Sequence, residues 1–143
     1  MTDTPFRIVA LQPNEADNKL LCSIFNRAEF DLKSFAETRE FIQYQRIQPV
    51  PRCFITDLDL PDSSGEQLIK KIRSDNRWQK VPIVVLANSV DKTALMELNK
   101  LKINGYIVKP YQPQKLLADT LKAMGLEMVT ERRPVRRVKA DRK

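Results

Sequence analysis

Apolar positions along this chain follow two alternating kinds of pattern. The segments FRIVALQ (6–12), RCFITD (52–57) and VPIVVLAN (81–88) are nearly continuous apolar runs, FDLKSF (30–35) alternates, and GYIVK (105–109) is a short fifth run. Lengths of about eight residues or fewer and enrichment in Val, Ile and Phe predict strands rather than helices. Between the runs, apolar residues recur at helical spacing: Leu20, Leu21, Ile24, Phe25 and Ala28; Leu68, Ile69 and Ile72; Ala94, Leu95, Leu98 and Leu101; Leu116, Leu117, Thr120, Leu121 and Met124. Residues 37–47 predict a further helix with Phe41 and Ile42 turned inward. Asn14 with Asp17 reads as a capping pair, Ser64 with Gln67 fits the S-x-x-Q box, and Gly125 supplies a stop for the last helix.

Five strands alternating with five helices predict an α/β fold. Continuous apolar strands imply burial on both faces, hence a parallel sheet with helices on each side. With right-handed crossovers, the expected architecture is a doubly wound five-stranded parallel sheet of order 2-1-3-4-5, a three-layer sandwich. Sites in such sheets form at the carboxyl ends of the strands, beside the switch in strand order. The residues at those ends are Gln12, Pro13 and Asn14, then Asp57, then Ala87, Asn88 and Ser89, then Lys109 and Pro110. An acid and a lysine from distant strands are thereby expected to converge.

Composition narrows the chemistry. With 143 residues and 42% hydrophobic content, the chain has the size of one ordinary domain with a real core. Histidine is absent, which excludes His-ligated zinc, a Ser-His-Asp triad and a histidine phosphocarrier within the chain. Cys22 and Cys53 fall in apolar patterns and are expected as buried reduced thiols. No run reaches the length of a membrane span and the start lacks a leader pattern, so a cytoplasmic protein is expected. The net charge of +7 is uneven: ERRPVRRVKADRK (131–143) has seven Arg or Lys against two acids. Residues 1–126 are expected to form the folded unit, and 127–143 a basic tail, disordered or partly helical.

With those residues in view, the chain resembles a response-regulator receiver domain, the CheY-like module of two-component signalling, over residues 6–124. DLDLPDSSG is similar to the family's acceptor loop, with Asp57 four residues before Pro61 and eight before Gly65; GYIVKP is similar to its fifth-strand signature. The resemblance implies that Asp57 is the phosphoacceptor, taking a phosphoryl group from a histidine kinase or phosphotransfer protein. It implies that Lys109 binds the phosphoryl oxygens, that Tyr106 is the aromatic switch, and that the Lys109–Pro110 bond is cis. It also implies a protein-docking face on helix 4, strand 5 and helix 5, here including Leu95, Lys102, Tyr106, Lys109, Gln114 and Lys115, open equally to a homodimer.

Two departures change the expectation. Where the family has two acids after strand 1 that help hold a divalent cation, this chain has Gln12 and Pro13; where it has a switch hydroxyl after strand 4, this chain has Ala87. Magnesium prefers carboxylate oxygens. With Asp57 as the main ligand and Asp59 as a rim candidate, the expectation is weak or absent Mg2+ and slow phosphorylation. Glu15 and Ser89 are further rescue candidates, read more simply as a helix-start acid and the start of the following helix. Lys109 is then free to pair directly with Asp57 and lock the pocket.

Three functions compete. The first is a stand-alone receiver in a phosphorelay, signalling by protein docking. The second is a phosphorylation-independent interaction module. The third is a basic-tail adaptor for nucleic acid, disfavoured because no DNA-reading domain follows and the tail lacks interleaved aromatics. A small-molecule enzyme is not expected, since no complete catalytic set is visible. Trp78 reads as a lid over the core edge, and Tyr111 as a partner-surface residue or a solvated helix cap.

Overall fold

The computed structural model describes residues 5–61, 63–128 and 134–136. The elements run β1 (Phe6–Leu11), α1 (Glu15–Ile24), β2 (Phe30–Phe35), α2 (Thr38–Ile47), β3 (Cys53–Asp57), α3 (Gly65–Arg73), β4 (Ile83–Ala87), α4 (Lys92–Lys100), β5 (Gly105–Val108) and α5 (Pro113–Ala123). The sheet has the order β2-β1-β3-β4-β5, and the four strand pairs are parallel. The expected doubly wound topology is the one observed.

The register explains why three strands read as continuous apolar runs. Along β1, β3 and β4 successive side chains alternate between two cores, and both are dry. Ile8, Ala10, Cys53, Ile55, Val84 and Leu86 face the layer closed by α1 and α5. Val9, Leu11, Phe54, Ile83 and Val85 face the layer closed by α2, α3 and α4. The helices supply matching stripes, Leu116, Leu117 and Leu121 to the first and Phe41, Leu68, Ile69 and Leu98 to the second.

Caps fix the helix starts. Asn14 Oδ1 accepts from the Asp17 N–H, Ser64 Oγ from Gln67 and Asp91 Oδ1 from Ala94. Gly125, at φ +78°, follows α5 in the left-handed conformation that suits glycine. Helix α1 ends at Ile24, so Ala28 lies outside it and is exposed.

Trp78 is not a lid. It is 1% exposed and packs edge-on against Phe41 and Phe54, which stack at 4.6 Å. Perpendicular packing of a large ring on a stacked pair fills the second core more completely than a cover at its rim would. Arg73 is a further core element that the pattern did not reveal. Its guanidinium donates to the carbonyls of Trp78, Val81, Leu101 and Lys102, tying the entries of β4 and β5 to α3. Burial lowers its pKa from the usual arginine value.

Beyond α5, Leu126–Met128 (β6) pairs antiparallel with Pro134–Arg136 (β7). Leu126 is the last residue of the expected folded unit; within the expected tail, 127–128 and 134–136 have extended, paired backbone. The remainder of the expected tail, 129–133 and 137–143, lies outside the described residues. Among the described residues no helix is long and apolar enough to cross a membrane.

Candidate functional site

The carboxyl ends of β1, β3, β4 and β5 meet at the order switch, and the convergence expected there is present. Asp57 closes β3 and is 1% exposed. Its Oδ1 accepts the backbone N–H of Asp59 at 2.8 Å. Its Oδ2 accepts from Lys109 Nζ at 2.5 Å and from Gln12 Nε2 at 2.9 Å. A carboxylate at this burial is stable only when paired and hydrogen-bonded, and three donors meet that requirement.

Lys109 reaches this position from the end of β5. Its backbone N–H donates to the Ala87 carbonyl, and the Lys109–Pro110 bond is cis. Nζ also lies 3.5 Å from a carboxylate oxygen of Asp17 on the first turn of α1. One ammonium therefore faces two carboxylates. Burial alone would lower its pKa; the hydrogen bond and charge of Asp57, with those of Asp17, outweigh burial and hold it above the usual lysine value.

Gln12 stands where an acid was looked for, and it is fully buried. Its Oε1 accepts the Asn14 N–H at 2.9 Å, while Nε2 donates to Asp57 and to the Tyr111 hydroxyl at 3.1 Å. The opposite amide orientation would set an oxygen against the carboxylate, so the network fixes the assignment. Asn18 steadies this corner, donating to the Gln12 carbonyl and accepting from Ser34 Oγ. Tyr111 is buried at the pocket wall, neither a partner-surface residue nor a solvated cap. Burial, and the adjacent charges of Asp17 and Asp57, keep its phenol protonated well above the ordinary range.

The remaining candidates sit at the margin. Asp59 turns away from Asp57: its Oδ2 accepts from Asn88 Nδ2 at 2.7 Å, tying the β3–α3 loop to the β4–α4 loop. Ala87 is buried and brings only its backbone carbonyl. Tyr106 is half-buried and its hydroxyl donates to the Ser89 carbonyl at 2.9 Å. Glu15 is exposed and pairs with Lys19 rather than with the pocket. Asp17 and Tyr111 are site residues that the sequence did not single out, whereas Asn88 was among the expected strand-end residues. Asp17 had been absorbed by its capping role, and Tyr111 by its place beside a helix start. The spacing Lys109-Pro110-Tyr111 was the available signal, since a short turn after β5 keeps both side chains at one strand end.

A divalent cation does not fit this donor set. Both oxygens of Asp57 are engaged by donors, a backbone N–H, an amide NH2 and an ammonium, and the Asp17 carboxylate nearby is itself paired with that ammonium. A proline follows Gln12, with no acid there to add an oxygen. Among the described residues no cluster of three His, Cys, Asp or Glu side chains could hold a metal. The arrangement therefore neutralises the Asp57 carboxylate with the chain's own lysine.

The chain is similar in sequence and in fold to known chemotaxis and response-regulator proteins. Helicobacter pylori CheY1 is 38% identical over 65 residues, 46% of this chain and 52% of that protein; the match spans about half the length of such curated relatives. Among solved structures, Vibrio cholerae CheY4 superimposes with a TM-score of 0.77 at 19% identity, over 84% of this chain and 99% of that one. The Mn(2+)-bound form of response regulator Rcp1 does so with a TM-score of 0.69 at 20% identity, over 85% and 91%. At these identities the structural likeness carries the fold. Residues 13–120 match the family model of the response regulator receiver domain, and the chain belongs to that family, the CheY-like signalling modules of two-component systems.

Proposed function

We propose that this receiver signals by docking to protein partners while Asp57 is held by Lys109 and Gln12, with phosphorylation slow or absent and Mg2+ weak. The observation that carries this reading is the three-donor grip on Asp57, two of its donors on a single oxygen. An incoming phosphoryl group must displace or share Lys109. It would do so without the two acids that in the family help hold the charge-neutralising divalent cation. Charge neutralisation and positioning are most of what phosphoryl transfer requires. The unit that docks is taken as residues 1–126, with no catalytic set of its own and a cytoplasmic setting. Its docking face is α4–β5–α5: Leu95, Lys102, Tyr106, Gln114 and Lys115, with the exposed apolar side chains of Val90, Met96 and Val108 nearby. That face serves a partner protein or a second copy. With Ala87 lacking a hydroxyl, Tyr106 acts there by packing.

A second reading, phosphorelay through Asp57, is favoured by one observation. Oδ1 accepts a single backbone N–H and has no side-chain donor. It could attack the phosphorus of a phosphohistidine, forming a P–O bond as the P–N bond breaks. The test is incubation with acetyl phosphate and magnesium, read by intact mass, with Asp57→Ala as control. Little or no mass gain is expected. Rapid, stoichiometric, magnesium-dependent gain of one phosphoryl group, lost in the control, overturns the first reading in favour of the second.

A further inference from the structure

At the opposite end of the strands from Asp57 lies a groove of about 290 Å³, and the reading of the Asp57 pocket makes no use of it. Its floor is apolar, formed by Val50, Pro51, Val81 and Met124. Its polar lining is all of one sign, from Arg52, Arg77 and Lys80, and among the described residues no carboxylate lines it. The β3 strand separates it from Asp57 by about 16 Å, at ~3.3 Å per residue.

The three cations are not equivalent. Arg77 is structural: its guanidinium donates to the Gln45 and Gln48 carbonyls at the end of α2 and pairs with Asp75. This contact anchors the segment that carries Val50, so the groove wall is held in place before any ligand arrives. Arg52 and Lys80 have no ion pair among the described residues. Arg52 lies over the Phe6 ring at 4.9 Å, which orients its guanidinium while leaving the charge uncompensated. Arg7 adds a third such charge beside them, bonded to the Tyr44 hydroxyl and the Pro49 carbonyl and, among the described residues, to no carboxylate. The neighbouring Ile47 is 81% exposed, a large apolar side chain left in water next to the groove.

We infer that this groove is a second docking site, whose occupant is an acidic peptide segment of a partner protein, anchored by an apolar side chain. Size and charge select this occupant. The volume is at the lower limit for small-molecule pockets, so it admits one or two side chains rather than a cofactor. Cations around an apolar floor fit carboxylates flanking a hydrophobic anchor. Nucleic acid fits less well, because the floor offers no aromatic ring for base stacking. The chain's own basic segment 131–143 carries the same sign as the groove and would be repelled. A second copy could not offer the acids at the far end of its sheet, which are already engaged, Asp57 and Asp17 with Lys109 and Asp59 with Asn88.

The test is fluorescence anisotropy of the full chain with a labelled glutamate-rich peptide centred on a leucine–phenylalanine pair, against the same peptide with glutamine for glutamate. Saturable binding of the acidic peptide is expected, with the glutamine peptide weaker by about tenfold or more and the difference shrinking with salt. Arg52→Glu with Lys80→Glu should weaken binding by about tenfold or more, since both side chains are surface charges whose reversal changes long-range attraction as well as contact. Val50→Asp should weaken it as well, although every cation is retained. Circular dichroism establishes that each variant is folded; Lys80→Glu alone, at an exposed position with no ion pair among the described residues, keeps the test decisive if the double variant is not. Equal binding of the two peptides, or unchanged affinity after charge reversal, overturns the proposal. So does duplex DNA binding more tightly than the peptide with the same sensitivity to reversal, or self-association abolished by the same substitutions. The acetyl phosphate assay reports on the other end of the sheet, so the two readings succeed or fail separately.

Discussion

The behaviour of single residues in this protein is set mainly by burial and by what compensates it. Asp57 and Lys109 form a pair with little access to water. Removing one partner leaves a buried charge, so Lys109→Ala should destabilise the fold by about 3 kcal/mol in urea denaturation, whereas Asp57→Leu with Lys109→Met should be close to neutral. If the single change costs nothing, the pair is not the charge compensation described here. Two groups in the pocket have raised pKa values, Lys109 from an ordinary 10.5 and Tyr111 from 10.0. A group whose folded value lies above its unfolded one contributes stability that is full below the unfolded value and lost as pH rises through the folded one. Alkaline unfolding should therefore set in above about pH 10. Tyr111→Phe should move its midpoint upward by removing one of the two groups. The cysteines divide in the same way. Cys22 is exposed, contrary to expectation, whereas Cys53 is buried and its thiol is pushed up to about 12, first by burial. A thiol reagent at neutral pH should count one cysteine in the native protein and two in denaturant. Cys22→Ser should abolish the native count.

At the level of elements, the strands and helix starts were legible because each obeys a local rule. The apolar runs marked β1, β3 and β4, and Ser64 with Gln67 marked the start of α3. What local rules could not show is which backbone comes close to which. Gly65 illustrates this. It reads as one more turn glycine, yet a Cβ there would lie 2.7 Å from the Asp57 carbonyl oxygen and 2.8 Å from Leu58 Cα. Both obstacles are backbone atoms that cannot rotate away. Gly65→Ala should cost about 2–3 kcal/mol and displace the loop that carries the Asp59 N–H, and with it a donor to Asp57. Gly105 is the control. A Cβ there meets only the Val84 methyls at 3.5 Å, an ordinary contact, so Gly105→Ala should change stability by less than about 1 kcal/mol. Equal losses at the two positions in parallel urea titrations would count against the close approach at Gly65.

Over the whole molecule, the topology builds the site from four strand ends, and this is why its main pair could be read from sequence while its lining could not. Asp57 and Lys109 follow apolar strands whose order is nearly forced, so their meeting follows from the fold. Gln12 was legible as a strand-end residue, but how its amide, Asp17 and Tyr111 bond in the pocket depends on side-chain orientation and loop shape, which the apolar pattern does not encode. Their arrangement also bears on cation binding. Gln12 now directs an amide NH2 at Asp57, and Pro13 adds no oxygen. Gln12→Asp with Pro13→Asp would replace a donor by two acceptors beside Asp57 and draw Lys109 into competition with a cation. At an effective dielectric near 20, a charge about 4 Å from a cation gains on the order of 4 kcal/mol per unit charge, part of which is returned as desolvation. Even a net gain of about 2.8 kcal/mol is a hundredfold in affinity. The double variant should therefore bind magnesium at least about a hundredfold more tightly than the natural chain by isothermal titration, and acetyl phosphate should then load Asp57 in a magnesium-dependent way. Should the natural chain bind magnesium as tightly as the variant, Gln12 and Lys109 do not exclude the cation, and the account of a self-neutralised pocket fails.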